Sequence, residues 1–143
     1  MNILEFMKDD HRSCDNQLTV AENAIIKGDM KSAKKEFDSF KNLTLHHFKM
    51  EEDILFPVFE QRTGIQSGPT QVMRMEHTQM KGLLERMEVA LNDNNNDQFL
   101  GVLESLMILL QQHNMKEEQM LYPSCDKVLG GDANLVIEEM KGI

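Results

Sequence analysis

Apolar side chains recur every three or four residues in four long stretches of the chain, and turn-forming residues separate the stretches. This spacing is typical of amphipathic α-helices, whereas the alternation typical of strands is nearly absent. Because proline lacks an amide proton, we expect Pro57 and Pro123 to end or kink the helices that reach them. The spacing predicts four long helices and a short final one, over about residues 2–27, 30–56, 70–91, 97–122 and 133–140.

Short connections make consecutive helices antiparallel, which predicts an all-α, up-down-up-down four-helix bundle with a short C-terminal helix. With 143 residues, 41% of them apolar, the chain can bury a core of single-domain size. We therefore expect one domain over residues 1–143, with the bundle over about 2–123. The tail helix, over about 133–140, is expected to pack across one end of the bundle.

Polar residues of the kind that bind metals interrupt the apolar faces of all four long helices. Positions 11, 47 and 51 are repeated as 77, 113 and 117, an offset of 66, and they form a candidate ligand set: His11, His47, Glu51, His77, His113 and Glu117. Nearly equal distances to the predicted turns place the four histidines at one level of the bundle. Continued at helical spacing, the inward faces of the second and fourth helices reach Ile54 and Met120.

Two helices each carry a histidine and a glutamate four residues apart, so the two side chains share one face, about 6 Å apart along the axis. Four imidazoles and two carboxylates suffice for two metal ions with bridging carboxylates. Taken alone, a histidine on an apolar face is usually a hydrogen-bonded core residue. Six positions in register favour a metal centre, because two buried carboxylates would be costly without a counter-charge. Mixed nitrogen and oxygen ligands suit iron, with manganese or zinc as less favoured alternatives.

The candidate ligand set resembles the motif of the hemerythrin-like, or HHE cation-binding, family, and the resemblance extends from the first helix through Pro123. It implies a four-helix bundle with two Fe ions, bridged by both glutamates and by an oxo or hydroxo group. Oxygen-carrying members have a second histidine on the third helix, where this chain has Lys81, and a last bridging aspartate five residues after its histidine. Here Glu117 follows His113 by four. The chain is therefore similar to the four-His, two-Glu branch, which includes di-iron proteins linked to iron-sulfur cluster repair.

One histidine fewer leaves coordination positions open, which favours a reactive centre over a reversible oxygen carrier. Asp15, one turn after His11, could be an extra ligand or accept an imidazole N–H, and Lys81 could pair with a carboxylate or a bound anion. A solvated position is an equal alternative for both. Glu52 and Glu118 lie about 100° around the helix from the ligands, so we expect them to be solvated.

The remaining composition narrows the setting of the protein. A net charge of -9 without a sustained basic run argues against binding of nucleic acid or an anionic membrane surface. No apolar run is long enough to span a bilayer, and the acidic N-terminal segment does not resemble a secretion signal. Cys14 and Cys125 are predicted to be free thiols. We therefore expect a cytoplasmic protein. Phe56 and Tyr122, each directly before a proline, are expected to close one end of the bundle.

The expected function is binding or reduction of a small oxidant (dioxygen, hydrogen peroxide or nitric oxide) with electrons from an unidentified reductant. Such a protein would serve in defence against oxidative or nitrosative stress, or in iron-sulfur cluster repair. The alternative is a non-catalytic module that senses iron or oxygen, or that buffers iron. Turnover of many equivalents of oxidant separates the two hypotheses, and the sequence leaves both of them and the oligomeric state open.

Overall fold

The computed structural model describes residues 1–143, and it contains helices and turns but no strand. Seven α-helices follow in chain order: α1 (Ile3–Ile26), α2 (Met30–Met50), α3 (Phe56–Thr63), α4 (Pro69–Asn92), α5 (Asn96–Lys116), α6 (Tyr122–Leu129) and α7 (Ala133–Lys141). The π-helical turns Glu51–Leu55 and Glu117–Leu121 join α2 to α3 and α5 to α6, and the 3-10 turn Gly130–Asp132 leads into α7. The predicted all-α fold of four long helices and a short last one is confirmed.

Each half of the chain forms a helical hairpin, α1 with α2 and α4 with α5, and the two hairpin turns have the same geometry. Gly28 and Asn94 both have positive φ angles, of 77° and 54°. Glycine adopts this left-handed conformation without a Cβ clash, and asparagine tolerates it. In the next position, Asp29 and Asn95 cap the following helix, since each side chain accepts a backbone N–H at 3.1 Å. The offset of 66 therefore extends from the ligands to the turns.

The second and fourth long helices were expected to reach only residues 56 and 122, but beyond π-helical turns the chain continues through Pro57 and Pro123 as α3 and α6. Both prolines follow a π-helical turn, in which the residue before the proline donates its N–H to the carbonyl five residues earlier. In an α-helix, a proline ring would clash with the carbonyl four residues earlier. The wider π turn relieves this clash, so the helices continue beyond the prolines.

The π turns also change which side chains face inward. Met120, predicted on an inward face, is 70% exposed, and Ile54 is only half-buried. Leu55 and Leu121, one position further along, are buried instead. A π turn contains an extra residue relative to α-helical spacing. For residues after Glu51 and Glu117, α-helical spacing therefore predicts an inward-facing side chain one position too early in the sequence.

The buried apolar side chains form two clusters, one toward the hairpin turns and one toward the opposite end of the bundle. Phe40 and Phe99 belong to the first cluster, and α7 packs against the second. Along α1, Met7 belongs to the second cluster and Cys14 to the first, and His11 lies between them. A layer of buried polar residues thus separates the clusters. None of the helices combines the length and the apolar character that crossing a membrane requires.

Candidate metal centre

The six residues of the candidate ligand set meet in this polar layer, and all six are buried. Their donor atoms fall into two groups, and within each group the atoms lie within 4.8 Å of one another. One group contains Glu51, His77, His113 and Glu117, and the other contains His11, His47 and Glu117. Because Glu117 belongs to both groups, they adjoin. The residues could therefore hold cations at two neighbouring positions.

Every imidazole of the set donates its Nδ1–H to a carboxylate outside the set. The distances are 2.7 Å from His11 to Glu118, 2.6 Å from His47 to Asp10, 2.6 Å from His77 to Glu52 and 2.8 Å from His113 to Glu76. These hydrogen bonds turn each Nε2 toward the interior of the bundle, where the Nε2 of a neutral imidazole carries a lone pair. Carboxylate–histidine pairs of this kind orient imidazoles toward metals and raise their basicity.

Two of these four carboxylates correct a prediction, and the other two were not predicted from the sequence. Glu52 and Glu118 were expected to be solvated, but their side chains are only 29% and 24% exposed and bond to histidines of a neighbouring helix. Each follows a glutamate of the candidate ligand set by one residue, about 100° around the helix axis, and in the bundle this direction faces the neighbouring helix and not water. Asp10 and Glu76 each directly precede a histidine of the set. Since the offset of 66 relates both carboxylate pairs, the repeat was the signal that could have identified them.

Asp15 and Lys81, the other candidates beside the site, lie at its edge. Asp15 is exposed and forms no hydrogen bond with an imidazole. Lys81 Nζ lies 3.9 Å from Glu52 Oε2, on the carboxylate that holds His77. Neither residue belongs to the converging donor groups, and Cys14 does not belong to them either.

Several buried polar atoms at the centre of the site form no hydrogen bond with one another but could bind a cation. Four of them have no hydrogen-bond partner: Glu51 Oε1, His77 Nε2, His113 Nε2 and Glu117 Oε2. His77 Nε2 lies 3.0 Å from Glu51 Oε1, yet its lone pair has no hydrogen to donate. Burial lowers the pKa of His77 to about 4, so this imidazole is neutral at neutral pH. A cation between these atoms would satisfy all of them, and the residues present therefore fit a metal ion.

The two glutamates also lack a partner with a permanent positive charge. Glu51 and Glu117 are fully buried, and histidines are their only ion-pair partners. Burial, followed by the neighbouring Glu117 carboxylate, raises the pKa of Glu51 well above its usual value. In the metal-free protein this pair therefore retains a proton that a divalent cation would replace.

A further polar group, the hydroxyl of Tyr122, lies among the donor atoms. It donates to Glu51 Oε2 at 2.7 Å, and its oxygen lies 3.0 Å from Glu117 Oε1. The same oxygen lies 3.2 Å from the Nε2 atoms of both His11 and His47. Burial and the two carboxylates raise the pKa of Tyr122, so the phenol is protonated in the metal-free protein. Tyr122 thus does more than close the end of the bundle, the only role that the sequence predicted for it.

The π turn explains why the sequence did not identify Tyr122 as a site residue. At α-helical spacing, a residue five positions after Glu117 lies about 140° around the helix from it, away from the ligands. In the π turn, the N–H of Tyr122 donates to the carbonyl of Glu117, which stacks the two residues on one face. Nothing in the apolar spacing reveals this change of register.

A cleft of about 510 Å³ opens between α1 and α5 on one side of the site. Glu118, which holds His11, and Asn114 are among the residues that line it. On the other side, the repeat partner of Asn114 is Phe48, and its ring stacks on His77 with the ring centroids 3.9 Å apart. Aromatic packing therefore closes the side of the site at His77. On the side of His11, the cleft leads to the Glu118 carboxylate.

Fold and site together define a class of protein: a four-helix bundle with a buried cluster of histidines and glutamates that could hold metal ions. The family model described as the hemerythrin HHE cation binding domain matches residues 2–125, and the chain belongs to this family. The resemblance inferred from the candidate ligand set is thereby confirmed at the level of the family. Comparisons with curated proteins and with solved structures gave no match.

Proposed function

We propose that this protein binds two iron ions with the candidate ligand set, as in the four-His, two-Glu branch of the family, and that the centre binds or reduces a small oxidant. The candidate oxidants are dioxygen, hydrogen peroxide and nitric oxide. The proposal rests on one observation, the two adjoining donor groups that share Glu117 and contain four buried atoms without partners. Iron bound there would supply open coordination positions and one-electron redox chemistry.

The residues around the ligands support reactivity at this site. The four carboxylates on the Nδ1 atoms hold the imidazoles with their Nε2 lone pairs inward, as metal ligation requires. The two apolar clusters exclude water from above and below the polar layer. The cleft beside Glu118 is large enough to admit a diatomic molecule or a peroxide to the edge of the site. We therefore favour a reactive centre over a purely structural one.

The electrons for such a reaction would come from outside the chain. Burial raises the pKa of both thiols, Cys14 and Cys125, to about 12, so neither forms a reactive thiolate at neutral pH. The proposal therefore includes a separate reductant. It also places the protein in the cytoplasm, in defence against oxidative or nitrosative stress or in repair of iron-sulfur clusters.

Metal analysis with near-ultraviolet absorption tests the centre itself. We expect two irons per chain and ferric charge-transfer bands in the oxidised protein. His47→Ala should lose iron, whereas His46→Ala, which changes the exposed neighbouring histidine, should keep it. A single zinc per chain, or equal iron in both variants, would contradict the proposal.

Consumption of the oxidant tests the reaction. The iron-loaded, reduced protein is given hydrogen peroxide or nitric oxide in excess, together with a chemical reductant. We expect consumption of many equivalents per centre. Uptake that stops after one equivalent would instead support the alternative, a module that senses or buffers iron or oxygen.

A further inference from the structure

The two halves of the repeat differ in polarity at Tyr122, whose hydroxyl lies among the donor atoms of the site. Its repeat partner, Phe56, offers only an apolar ring. The phenol oxygen lies between 2.7 and 3.2 Å from four donor atoms of the candidate ligand set, on Glu51, Glu117, His11 and His47. The phenol has a single hydrogen, which it donates to Glu51. It therefore has no hydrogen to donate in its close contacts with Glu117, His11 and His47.

The same distances are those expected between neighbouring ligands of one metal ion. Two atoms that each lie about 2.1 Å from an ion, at right angles to one another, are about 3.0 Å apart. The phenol oxygen is 3.0 Å from Glu117 Oε1 and 3.2 Å from the Nε2 atoms of His11 and His47. These three residues form the smaller of the two donor groups. An ion held by that group thus lies within reach of the phenol oxygen as well.

We propose that Tyr122 Oη is a ligand of the metal ion held by His11 and His47, and that the ion held by His77 and His113 has no such ligand. This inference rests on the proposed binding of metal by the candidate ligand set. On ligation the metal replaces the phenol proton, which is released to solvent, as cations commonly deprotonate the groups that coordinate them. The two ions are therefore chemically different, although their histidine and glutamate ligands are related by the repeat.

The π turn supports this assignment because it provides the required register. Glu117 and Tyr122 are five residues apart and lie on one face only because the intervening turn is π-helical. Functional sites are a frequent location of such turns. The first half has the same turn, but Phe56 there packs its ring against His77 with centroids 5.8 Å apart. Both halves therefore have the π turn that places this residue on the glutamate's face, but only the second half has a side-chain oxygen at that position, on Tyr122.

Visible absorption and resonance Raman spectroscopy of the oxidised, iron-loaded full chain test this proposal. Tyr122 is the only tyrosine of the chain, so any tyrosinate signal belongs to it. We expect a phenolate-to-iron(III) charge-transfer band in the visible range and phenolate ring modes that shift when ring-deuterated tyrosine is incorporated. The isotope shift requires no mutation and so remains informative if a variant fails to fold.

Tyr122→Phe is the matched variant, since it removes only the hydroxyl. It should keep two irons and the near-ultraviolet bands but lose the visible band completely. A wild-type protein with two irons, but with neither a visible band nor isotope-sensitive modes, would overturn ligation by Tyr122 and leave the proposed function standing. A wild-type protein that binds no iron would overturn both.

Discussion

The two halves of the candidate metal centre have matching ligands but different surroundings. His77 packs between the rings of Phe48 and Phe56, with centroid distances of 3.9 and 5.8 Å. His11, its repeat partner, has the phenol of Tyr122 beside its Nε2 and a cleft beside the carboxylate that holds its Nδ1. Two pairs of repeat positions produce this contrast: Phe48 and Asn114, and Phe56 and Tyr122.

The comparison shows that the repeat and the departures from it have separate consequences. Positions that keep the offset of 66 supply the candidate ligand set, the carboxylates hydrogen-bonded to its imidazoles and the hairpin turns. Positions that break it make one half dry and aromatic and the other polar and accessible. We therefore expect a small molecule to approach the His11 half, while the His77 half holds its ion in closed packing.

Removal of the shared ligand should have the most severe consequence for metal content. Glu117 belongs to both donor groups, whereas His77 belongs to one. We expect Glu117→Gln, which removes a charge but little volume, to lose both ions and His77→Ala to lose about one. Glu104→Gln, on an exposed position of α5, is the control and should retain both. Elemental analysis after purification measures the content, and equal losses in the first two variants would contradict the division into two groups.

The halves should also titrate differently in the metal-free protein. Burial lowers the pKa of His77 to about 4. Burial also acts to lower the pKa of His11, but the hydrogen bonds that His11 donates to the Glu117 and Glu118 carboxylates outweigh it and raise that pKa. Between about pH 6.5 and 4, the unfolded chain binds a proton at His77 that the folded chain does not. The unfolding free energy should therefore fall by about 3 kcal/mol as the pH drops through this window. For His11 the sign is opposite, and its stabilisation is lost as pH rises through the raised pKa.

Urea unfolding at a series of pH values, with nuclear magnetic resonance of the imidazole protons, measures both effects. His77→Gln should flatten the loss of stability between about pH 6.5 and 4. A His77 resonance that titrates near its ordinary value of about 6.5 would contradict the predicted neutral, desolvated imidazole.

The carboxylates behind the imidazoles should each act on one half only. Glu52→Gln should weaken the ion of the His77 half by about 10- to 100-fold, and Glu118→Gln should do the same for the His11 half. Lys81→Ala is the matched control beside Glu52: its exposed ammonium lies 3.9 Å away, and such pairs contribute about 1 kcal/mol or less. Competition with a chelator measures the affinities. If Lys81→Ala weakened binding as much as Glu52→Gln, orientation by the carboxylate would not be the cause.

The convergence of the candidate ligand set could be predicted from sequence because its geometry is local and repeated. A histidine and a glutamate four residues apart share a helix face in any α-helix, and the turns at Gly28 and Asn94 fix how the helices pair. The fold and the convergence of all six residues follow from these two facts. The match of the family model agrees with both.

The remaining features depend on geometry that spacing alone does not determine. Glu52 and Glu118 could not be assigned, because their partners belong to other helices and the contacts depend on how the helices are rotated. Met120 was misplaced and Tyr122 was not recognised as part of the site, because a π turn shifts every later residue by one position. The prolines after both turns were the available signal, since each helix has to accommodate a ring that cannot donate.

The smallest effect is expected at the entrance of the cleft, where Asn114 lies in place of Phe48. Asn114→Phe should narrow the cleft and stack on the ring of His11 as Phe48 stacks on His77, without removing a candidate ligand. We expect unchanged iron content and a reaction with nitric oxide or peroxide slowed by about tenfold, equivalent to about 1.4 kcal/mol in the barrier. Stopped-flow absorption of the reduced, iron-loaded protein measures the rate.

Asn114→Ala is the control and should react at least as fast as wild type. If Asn114→Phe also reacted at the wild-type rate, the oxidant would reach the centre by another path, and the contrast between a closed half and an open half would not govern access.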